Sequence, residues 1–268
     1  MNRKILLISP SVLLLFLFAI APLFIMVYFS LLSDTGAFTL ENYTKFFSKD
    51  FYLLLTWKTI RLSLLVTLIC ILIGYPLAYI IAKLIQKGKN MLLVLLVIPL
   101  WTSQLLRAYS WFNLLIEDGV LQFFLGGMPV NILYTQTAVI LSLVHIFLPI
   151  MVITIYMSLE KLDDSLLEAS HSLGATSLET FRRIILPLSK PGIIAGSILV
   201  FVPSLGVFVE PRILGGVNGS VIGTVIEDQF FEIHGWNFGA AIAVILLLIV
   251  VLSIVILNRF NRERVEEG

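Results

Sequence analysis

The chain has 268 residues, of which 59% are hydrophobic and 13% are charged, and its mean hydropathy is +1.01. Ordinary soluble domains carry about a quarter charged residues, so this composition excludes that class and indicates an integral membrane protein. The net charge of +1 and the lack of a basic run give no reason to expect a nucleic-acid partner, and the single cysteine, Cys70, excludes an internal disulfide.

Six apolar runs predict an all-α, polytopic membrane protein with one transmembrane domain over residues 1–268, because each run is near the roughly 20 residues that cross the hydrocarbon core. The predicted spans are 5–32, 59–82, 91–116, 137–157, 191–209 and 238–257. The first run continues about ten residues past Ala21, farther than a cleaved signal peptide requires. We therefore expect an uncleaved first span.

Proline and glycine interrupt two of these runs. Pro99 lies inside the third span, and residues 203–206 are expected to break the fifth span near its middle. A broken helix at membrane depth is tolerated where it packs in protein or lines a wet cavity. The interruptions therefore predict where a pathway lies.

The longest hydrophilic interruption covers residues 158–190, between the fourth and fifth spans. Its apolar residues recur at steps of three and four, which predicts a helix with one apolar stripe. The stripe consists of Leu159, Leu162, Leu166, Ala169 and Leu173. Ser165 with Glu168 fits a capping box at the start of this helix, and Gly174 fits a left-handed residue at its end.

A second short helix is predicted to follow the glycine. Thr176 with Glu179 makes a second capping box, and the helix is expected to run to Leu186 and to stop at Pro187. The segment is thus predicted to consist of two short capped helices joined by a glycine turn.

The same segment carries Glu-Ala-Ser at 168–170, then a glycine, then Ile-Leu-Pro at 185–187, and so resembles the "EAA" signature of permease subunits of bacterial ABC importers. The usual third residue, alanine, is serine here, a small-for-small change. In that family the segment docks into a cleft of a cytoplasmic ATPase. The resemblance implies ATPase-coupling roles for Glu168, Ala169, Ser170, Gly174, Leu186 and Pro187. The alternative is that Glu168 only caps its own helix, and both roles can hold together.

The distribution of lysine and arginine predicts the orientation. With six spans both termini lie on one side, which carries twelve of the basic residues, including Arg182 and Arg183, against six on the other side, including Arg107 and Arg212. The positive-inside rule therefore places both termini and the 158–190 segment in the cytoplasm. The expected location is the bacterial cytoplasmic (inner) membrane.

No constellation for catalysis or for nucleotide binding is present. Lys87-Gly88-Lys89 lacks the upstream glycine and the hydroxyl of a phosphate-binding loop, so we expect no cofactor in this chain, with ATP and magnesium on a partner ATPase. The three histidines lie far apart without metal-ligand spacing, and no Gly-x-Ser-x-Gly turn occurs. The chain is therefore not expected to be an enzyme or to hold a metal.

Ionisable and aromatic residues in or beside the spans are candidates for a substrate pathway. These candidates are Glu210, Glu117, Asp118, Trp101, Tyr109 and Arg107. Acidic and aromatic groups together suit an organic cation, through charge pairing and cation–π attraction worth about 0.5–2 kcal/mol per ring. Two alternatives remain open: the aromatic residues form an ordinary interfacial belt, or Glu210 forms a structural ion pair with Arg212 or with Arg107.

Further stretches extend the resemblance along most of the chain, at residues 38–43, 98–102, 106–109, 159–163, 203–206 and 214–216. They are similar to the B-type permease of spermidine/putrescine importers, in a branch that also includes permeases for iron(III) and aminophosphonates. The resemblance implies the type I importer transmembrane fold and the import of polyamines.

The resemblance also implies the partners: a second, C-type permease, two copies of an ATPase subunit, an extracytoplasmic polyamine-binding protein and membrane lipid. The preference between spermidine and putrescine stays open. So do two rival functions, the permease of a related ABC importer for another solute and an ATP-independent secondary carrier.

Overall fold

The computed structural model describes residue 10 and residues 13–117, 119–124, 126 and 131–262. These residues form helices and connecting loops without a β-strand, apart from one isolated bridge between Leu32 and Phe38. The first six helices are α1 (Leu13–Ser30), α2 (Glu41–Ser48), α3 (Asp50–Leu84), α4 (Lys89–Trp101), α5 (Gln104–Leu115) and α6 (Val120–Phe124). The remaining helices are α7 (Gln136–Leu159), α8 (Asp164–Ser172), α9 (Ser177–Leu205), α10 (Val209–Leu214), α11 (Ile222–Phe231) and α12 (Trp236–Arg262).

Five of the described helices are long and apolar enough to cross a membrane, namely α1, α3, α7, α9 and the Trp236–Leu257 part of α12. The sixth predicted span is the pair α4 and α5, which is bent by 94° at Thr102–Ser103. With this pair counted as one span, the predicted six spans are found in the structure. The interruption predicted at Pro99 is therefore a sharp bend in the third span.

The fifth span differs from the prediction at both ends. Helix α9 begins at Ser177, runs through Pro187 and ends at Leu205, so the predicted stop at Pro187 is wrong. A π-helical turn at Phe181–Ile185 precedes Pro187, and the N–H of Leu186 bonds to the carbonyl of Phe181. This wider turn shifts the hydrogen-bond pattern just where proline lacks a donor, and the helix continues.

The break predicted near the middle of the fifth span is also wrong. Pro203 lies in the last turn of α9, and the helix ends at Gly206, whose N–H bonds to the carbonyl of Pro203 at 3.1 Å. The interruption therefore lies at the end of the span, where the chain turns into α10.

The packed core of the protein is built by α3, α7 and α9. Leu62 and Val66 of α3 and Leu143 and Met151 of α7 are fully or almost fully buried in one apolar cluster. Helix α9 approaches α7 closely because Gly192 and Gly196 are four residues apart, and a Cβ at Gly192 would lie 2.5 Å from the Oγ of Ser158. Small residues at this spacing let two membrane helices pack backbone against backbone.

Two lysines of α3 mark the opposite ends of the bundle. Lys58 donates to the carbonyls of Asn218 and Ser220, which lie between α10 and α11. Lys83 donates to the carbonyl of Leu162 and to Asp164, at the start of α8. The two lysines are separated by about 37 Å of helix. We refer to these ends as the α10 end and the α8 end.

Candidate functional sites

Helix α8 begins with a cap that differs from the predicted one. Asp163 is the N-cap, since its Oδ1 accepts a hydrogen bond from the N–H of Ser165 at 2.9 Å, which lowers the pKa of Asp163 below its ordinary value. The predicted capping box of Ser165 with Glu168 is therefore wrong. Glu168 is exposed, and it has no hydrogen-bond or ion-pair partner among the described residues, so it does not cap its own helix.

The turn after α8 agrees with the prediction. Gly174 has φ +81°, the left-handed conformation, and its N–H bonds to the carbonyl of His171 at 2.9 Å. The second capping box is also confirmed. The N–H of Glu179 bonds to Thr176 Oγ1 at 3.3 Å, and the carboxylate of Glu179 accepts from the N–H of Thr176 at 2.9 Å.

The serine that replaces the usual alanine has a contact of its own. Ser170 is 8% exposed, and its Oγ lies 2.8 Å from Oγ1 of Thr180, which is 3% exposed. This hydrogen bond joins α8 to the first turn of α9. The hydroxyl therefore links α8 to α9, which the methyl group of an alanine at this position could not do. We call α8, the turn at residues 173–176 and the first turn of α9 the elbow.

The outer side of this elbow forms a groove of about 600 Å3. We call it the α8 groove, and its lining residues are Leu166, Ala169, Ser170, Leu173, Gly174, Ala175, Glu179, Arg183 and Ile184. Leu173 is 88% exposed, so the groove presents apolar surface next to charged groups. Apolar surface left open beside polar residues is typical of a protein-docking site.

Only part of the predicted apolar stripe lines this groove. Leu166, Ala169 and Leu173 face outward on or just after α8, whereas Leu159 is the fully buried last residue of α7. The predicted coupling residues divide in the same way. Ala169, Ser170 and Gly174 line the groove, exposed Glu168 lies beside it, and Leu186 and Pro187 lie farther along α9, outside its lining.

Two lysines tie the α8 segment to the membrane helices. Lys83 Nζ donates to the carbonyl of Leu162 at 2.8 Å and to Asp164 Oδ1 at 2.6 Å, with 10% of the lysine side chain exposed. Lys89 Nζ bonds to Glu160 at 3.2 Å. The sequence analysis did not predict these contacts, because the partners of the two lysines are remote in the chain and no local pattern marks them.

At the α10 end, Arg212 is surrounded by carboxylates of α11 and the turn after it. It bonds to Glu227 at 2.8 Å and to Asp228, and its third carboxylate neighbour, Glu232, is 3.6 Å away. These hydrogen bonds raise the pKa of Arg212 above its ordinary value. The suggested ion pair of Glu210 with Arg212 is therefore wrong, because Arg212 is already engaged with other carboxylates.

Arg107 stabilises the bend in the third span. Its Nη1 donates to the carbonyl of Pro99 at 3.0 Å and to that of Thr102 at 2.8 Å. Carbonyls at the end of a helix have no partner within the helix, so a cation placed there satisfies them. The guanidinium of Arg107 thus holds the last turn of α4 against α5.

Glu210 is fully buried in the first turn of α10. Its Oε2 accepts a hydrogen bond from Gln104 Nε2 at 3.1 Å, whereas its Oε1 is buried and has no hydrogen-bond partner among the described residues. It forms no ion pair within 4.0 Å with any described residue, so the suggested pair with Arg107 is not found. Arg107 nevertheless lies near enough for electrostatic attraction, and its Nε is also buried without a partner.

These groups share a cavity of about 270 Å3, which we call the Glu210 cavity. Its lining residues are Gln104, Arg107, Leu143, Ile146, Phe147, Pro203, Gly206, Val207, Phe208 and Glu210. Residues of the third span, of the fourth span and of the end of the fifth span line this cavity. Gln104 was missed in the sequence analysis, although a polar amide inside the predicted third span, shortly after Pro99, was a usable signal.

The other predicted pathway residues lie outside this cavity. Trp101 is 80% exposed and lines an apolar hollow with Tyr156, and Tyr109 is 55% exposed. Glu117 is exposed in the turn after α5, and Asp118 lies outside the described residues. Of the six candidates, the structure therefore brings Glu210 and Arg107 together. Among the described residues, no group of three or more metal-ligating side chains occurs.

Comparison with known proteins identifies related chains. Residues 74–267 match the family described as "Binding-protein-dependent transport system inner membrane component". The chain is 42% identical over 230 residues to the spermidine/putrescine transport system permease protein PotB of Escherichia coli (strain K12), covering 84% of this chain and 83% of that protein. It is 30% identical over 247 residues to the inner membrane ABC transporter permease protein YdcU of the same organism, covering 86% of this chain and 78% of that protein.

A solved structure confirms the fold. One chain of the crystal structure of a bacterial ABC transporter involved in the import of the acidic polysaccharide alginate matches with a TM-score of 0.82 at 18% identity. The match covers 98% of this chain and 97% of that chain. At this identity the likeness shows the fold alone, which is the predicted all-α transmembrane fold of type I ABC importers.

Proposed function

Because the chain belongs to the family of inner membrane components of binding-protein-dependent transport systems, we propose that it is the permease subunit of an ATP-driven polyamine importer. The observation that carries the substrate class is the 42% identity to PotB, which extends over 84% of this chain and 83% of that protein. The buried carboxylate of Glu210 supports a cationic solute, since a fixed negative charge inside a pathway opposes anions.

The proposed orientation places the α8 end and both termini in the cytoplasm. Lys83, Lys89, Arg182 and Arg183 cluster at or near this end, in agreement with the positive-inside rule. Cysteines introduced at Ser177 and Asn218 in a Cys70→Ser background test it. The first should react with a membrane-impermeant thiol reagent only from the cytoplasmic side and the second only from outside, and the reverse pattern would refute the orientation.

The α8 groove is proposed to receive a cytoplasmic ATPase subunit. Three features support this: exposed apolar surface around Leu173, a free carboxylate on Glu168, and an elbow held rigid by the Gly174 turn and the Ser170–Thr180 hydrogen bond. A secondary carrier has no ATPase to bind and no use for this surface. ATP and magnesium are proposed to bind to the ATPase and not to this chain.

Helix α9 connects the proposed docking surface with the far end of the bundle. It has 29 residues without interruption and therefore spans about 43 Å. A displacement of its first turn, when the ATPase subunits close on ATP, is carried along the helix to Pro203 and the Glu210 cavity. Alternating access then follows from rigid-body movement of packed helices.

The proposed complex contains a second, paralogous permease, two ATPase subunits and an extracytoplasmic polyamine-binding protein that docks at the α10 end. Reconstitution of these components into proteoliposomes tests the function. Labelled spermidine or putrescine should accumulate only with ATP and the binding protein. Accumulation without ATP would indicate a secondary carrier. ATP-driven uptake of iron(III) or an aminophosphonate, without polyamine uptake, would assign the chain to another importer of the family.

A further inference from the structure

The groups around the Glu210 cavity leave one carboxylate oxygen, Glu210 Oε1, without a hydrogen bond from the described residues. Arg107 directs Nη1 to the carbonyls of Pro99 and Thr102, and Arg212 is engaged by the carboxylates of α11 and the turn after it. Among the described side chains, the one that donates a hydrogen bond to Glu210 is Gln104, through its neutral amide. A buried carboxylate with an oxygen that lacks any partner is costly, so the site favours a group that brings a donor and a positive charge.

We propose that the Glu210 cavity is a binding subsite for one alkylammonium group of the transported solute. This inference rests on the proposed function as a polyamine permease. An ammonium group carries three N–H donors, and Glu210 Oε1 offers the unused acceptor. The bond formed is a charge-assisted hydrogen bond, which is stronger than a bond between neutral groups.

The walls of the cavity fit the remainder of such a ligand. Phe147 and Phe208 line it together with aliphatic residues, so methylene groups meet apolar surface and the ammonium group lies near aromatic rings. The cavity volume of about 270 Å3 leaves room for the head of the ligand. Gln104 remains exposed, so the cavity opens to the surface of the subunit beside this residue.

Arg107 determines how many charges the cavity takes. Its positively charged guanidinium lines the same wall and repels any cation, so the single carboxylate of Glu210 offsets the charge of one ammonium group at most. The subsite therefore accepts one ammonium group, and the other amino groups of a polyamine extend out past Gln104. Because Pro203 and Gly206 of the cavity wall belong to the end of α9, a movement of α9 alters the subsite directly.

The test uses the full complex with its binding protein in proteoliposomes, with labelled spermidine and putrescine. Glu210→Gln keeps the shape and the bond to Gln104 but removes the charge. We expect uptake of both solutes to fall by about tenfold, while ATP hydrolysis stimulated by the loaded binding protein stays near the unmodified level. Glu210→Asp, which keeps the charge, should retain more uptake than Glu210→Gln.

Glu227→Gln is the matched control, because Glu227 is an acid at the same end whose partner, Arg212, keeps a second carboxylate. It should leave uptake unchanged. Unchanged uptake in Glu210→Gln overturns the subsite while the polyamine function stands. Failure of Glu210→Gln to assemble with the ATPase overturns it in favour of a structural role. If the complex with the unmodified chain imports no polyamine, the proposed function itself is refuted.

Discussion

The α8 end and the α10 end of the molecule are built from different kinds of interaction. At the α8 end, each cap or turn joins residues that are close in the chain, as with Thr176 and Glu179, and the resulting surface is exposed. At the α10 end, Gln104 and Glu210 are 106 residues apart in the chain, and the cavity that they line contains the fully buried Glu210. Local interactions thus shape the exposed α8 groove, whereas long-range interactions bring together the polar groups of the Glu210 cavity.

The largest effect is expected from removing the cation at the bend of the third span. Arg107→Met deletes the hydrogen bonds to Pro99 and Thr102 and leaves Glu210 without a nearby positive charge. We expect a loss of about 3–5 kcal/mol of stability, because two bonds to a charged group are lost. A lower thermal midpoint and a lower yield of purified complex would measure it.

Arg61→Met is the matched control for that variant. Arg61 is an exposed arginine of α3 without a hydrogen-bond or ion-pair partner among the described residues. Its replacement should leave the midpoint unchanged. Equal midpoints for both variants would show that the hydrogen bonds of Arg107 to Pro99 and Thr102 do not stabilise the bend of the third span.

A second variant tests the local architecture of the α8 end. Gly174→Val places a β-branched side chain at φ +81°, and the strain of about 2 kcal/mol should displace the elbow. We expect normal membrane insertion, weaker association with the ATPase and loss of uptake. Co-purification of the ATPase and uptake of labelled solute measure the two effects.

Gly36→Val provides a closely matched comparison. Gly36 has φ +80° and, like Gly174, no atom within 4 Å of an added Cβ, but it lies in the loop after α1. The strain is the same, yet ATPase association should persist. Full uptake by Gly174→Val would show that this turn is not the coupling joint.

A smaller effect is expected from Lys83, which makes a long-range contact at the α8 end. Lys83→Met removes the bonds to Leu162 and Asp164, which should cost about 1.5 kcal/mol and let α8 move independently of α3. The ratio of solute imported to ATP hydrolysed should fall, and Lys83→Arg should restore much of it. Lys87→Met, at an exposed lysine of the loop that follows α3, should leave the ratio unchanged.

The smallest effect concerns the Ser170–Thr180 hydrogen bond. A double-mutant cycle of Ser170→Ala and Thr180→Val should give a coupling free energy of about 1 kcal/mol in thermal unfolding of the complex. The double variant should be more stable than the sum of the single changes indicates, because neither hydroxyl is left buried alone. Strict additivity would show that the serine is only a small residue.

Sequence analysis was most successful where a structure depends on a few neighbouring residues. Gly174 and the Thr176–Glu179 box were predicted correctly because each is defined within one turn. The stop at Pro187 was wrong because the rule assumes regular α-helical bonding, and the π turn at Phe181–Ile185 has a different pattern. The cap was assigned to Ser165 although Asp163, two residues earlier, competes for the same role.

The polar cavity was only half predictable. The charge of Glu210 beside a proline-containing interruption marked it correctly as unusual, but its partner depends on tertiary packing. Arg212 was a plausible local partner, yet the carboxylates of α11 and the following turn engage it, and Gln104 approaches from another span. A short pattern identifies a buried charge more readily than it identifies what surrounds that charge.

The uninterrupted course of α9 has a thermodynamic consequence. Its first turns form part of the α8 groove, and its last turn forms part of the Glu210 cavity. If occupancy of one site shifts the position of this helix, thermodynamic linkage requires the effect to be reciprocal. Suppose that binding of the ATPase changes the affinity of the cavity for its ligand by some factor. Binding of the ligand then changes the affinity of the chain for the ATPase by the same factor. A cation bound to one buried carboxylate at the far end of the helix would then change the affinity of the chain for the protein that hydrolyses ATP, although the two do not touch.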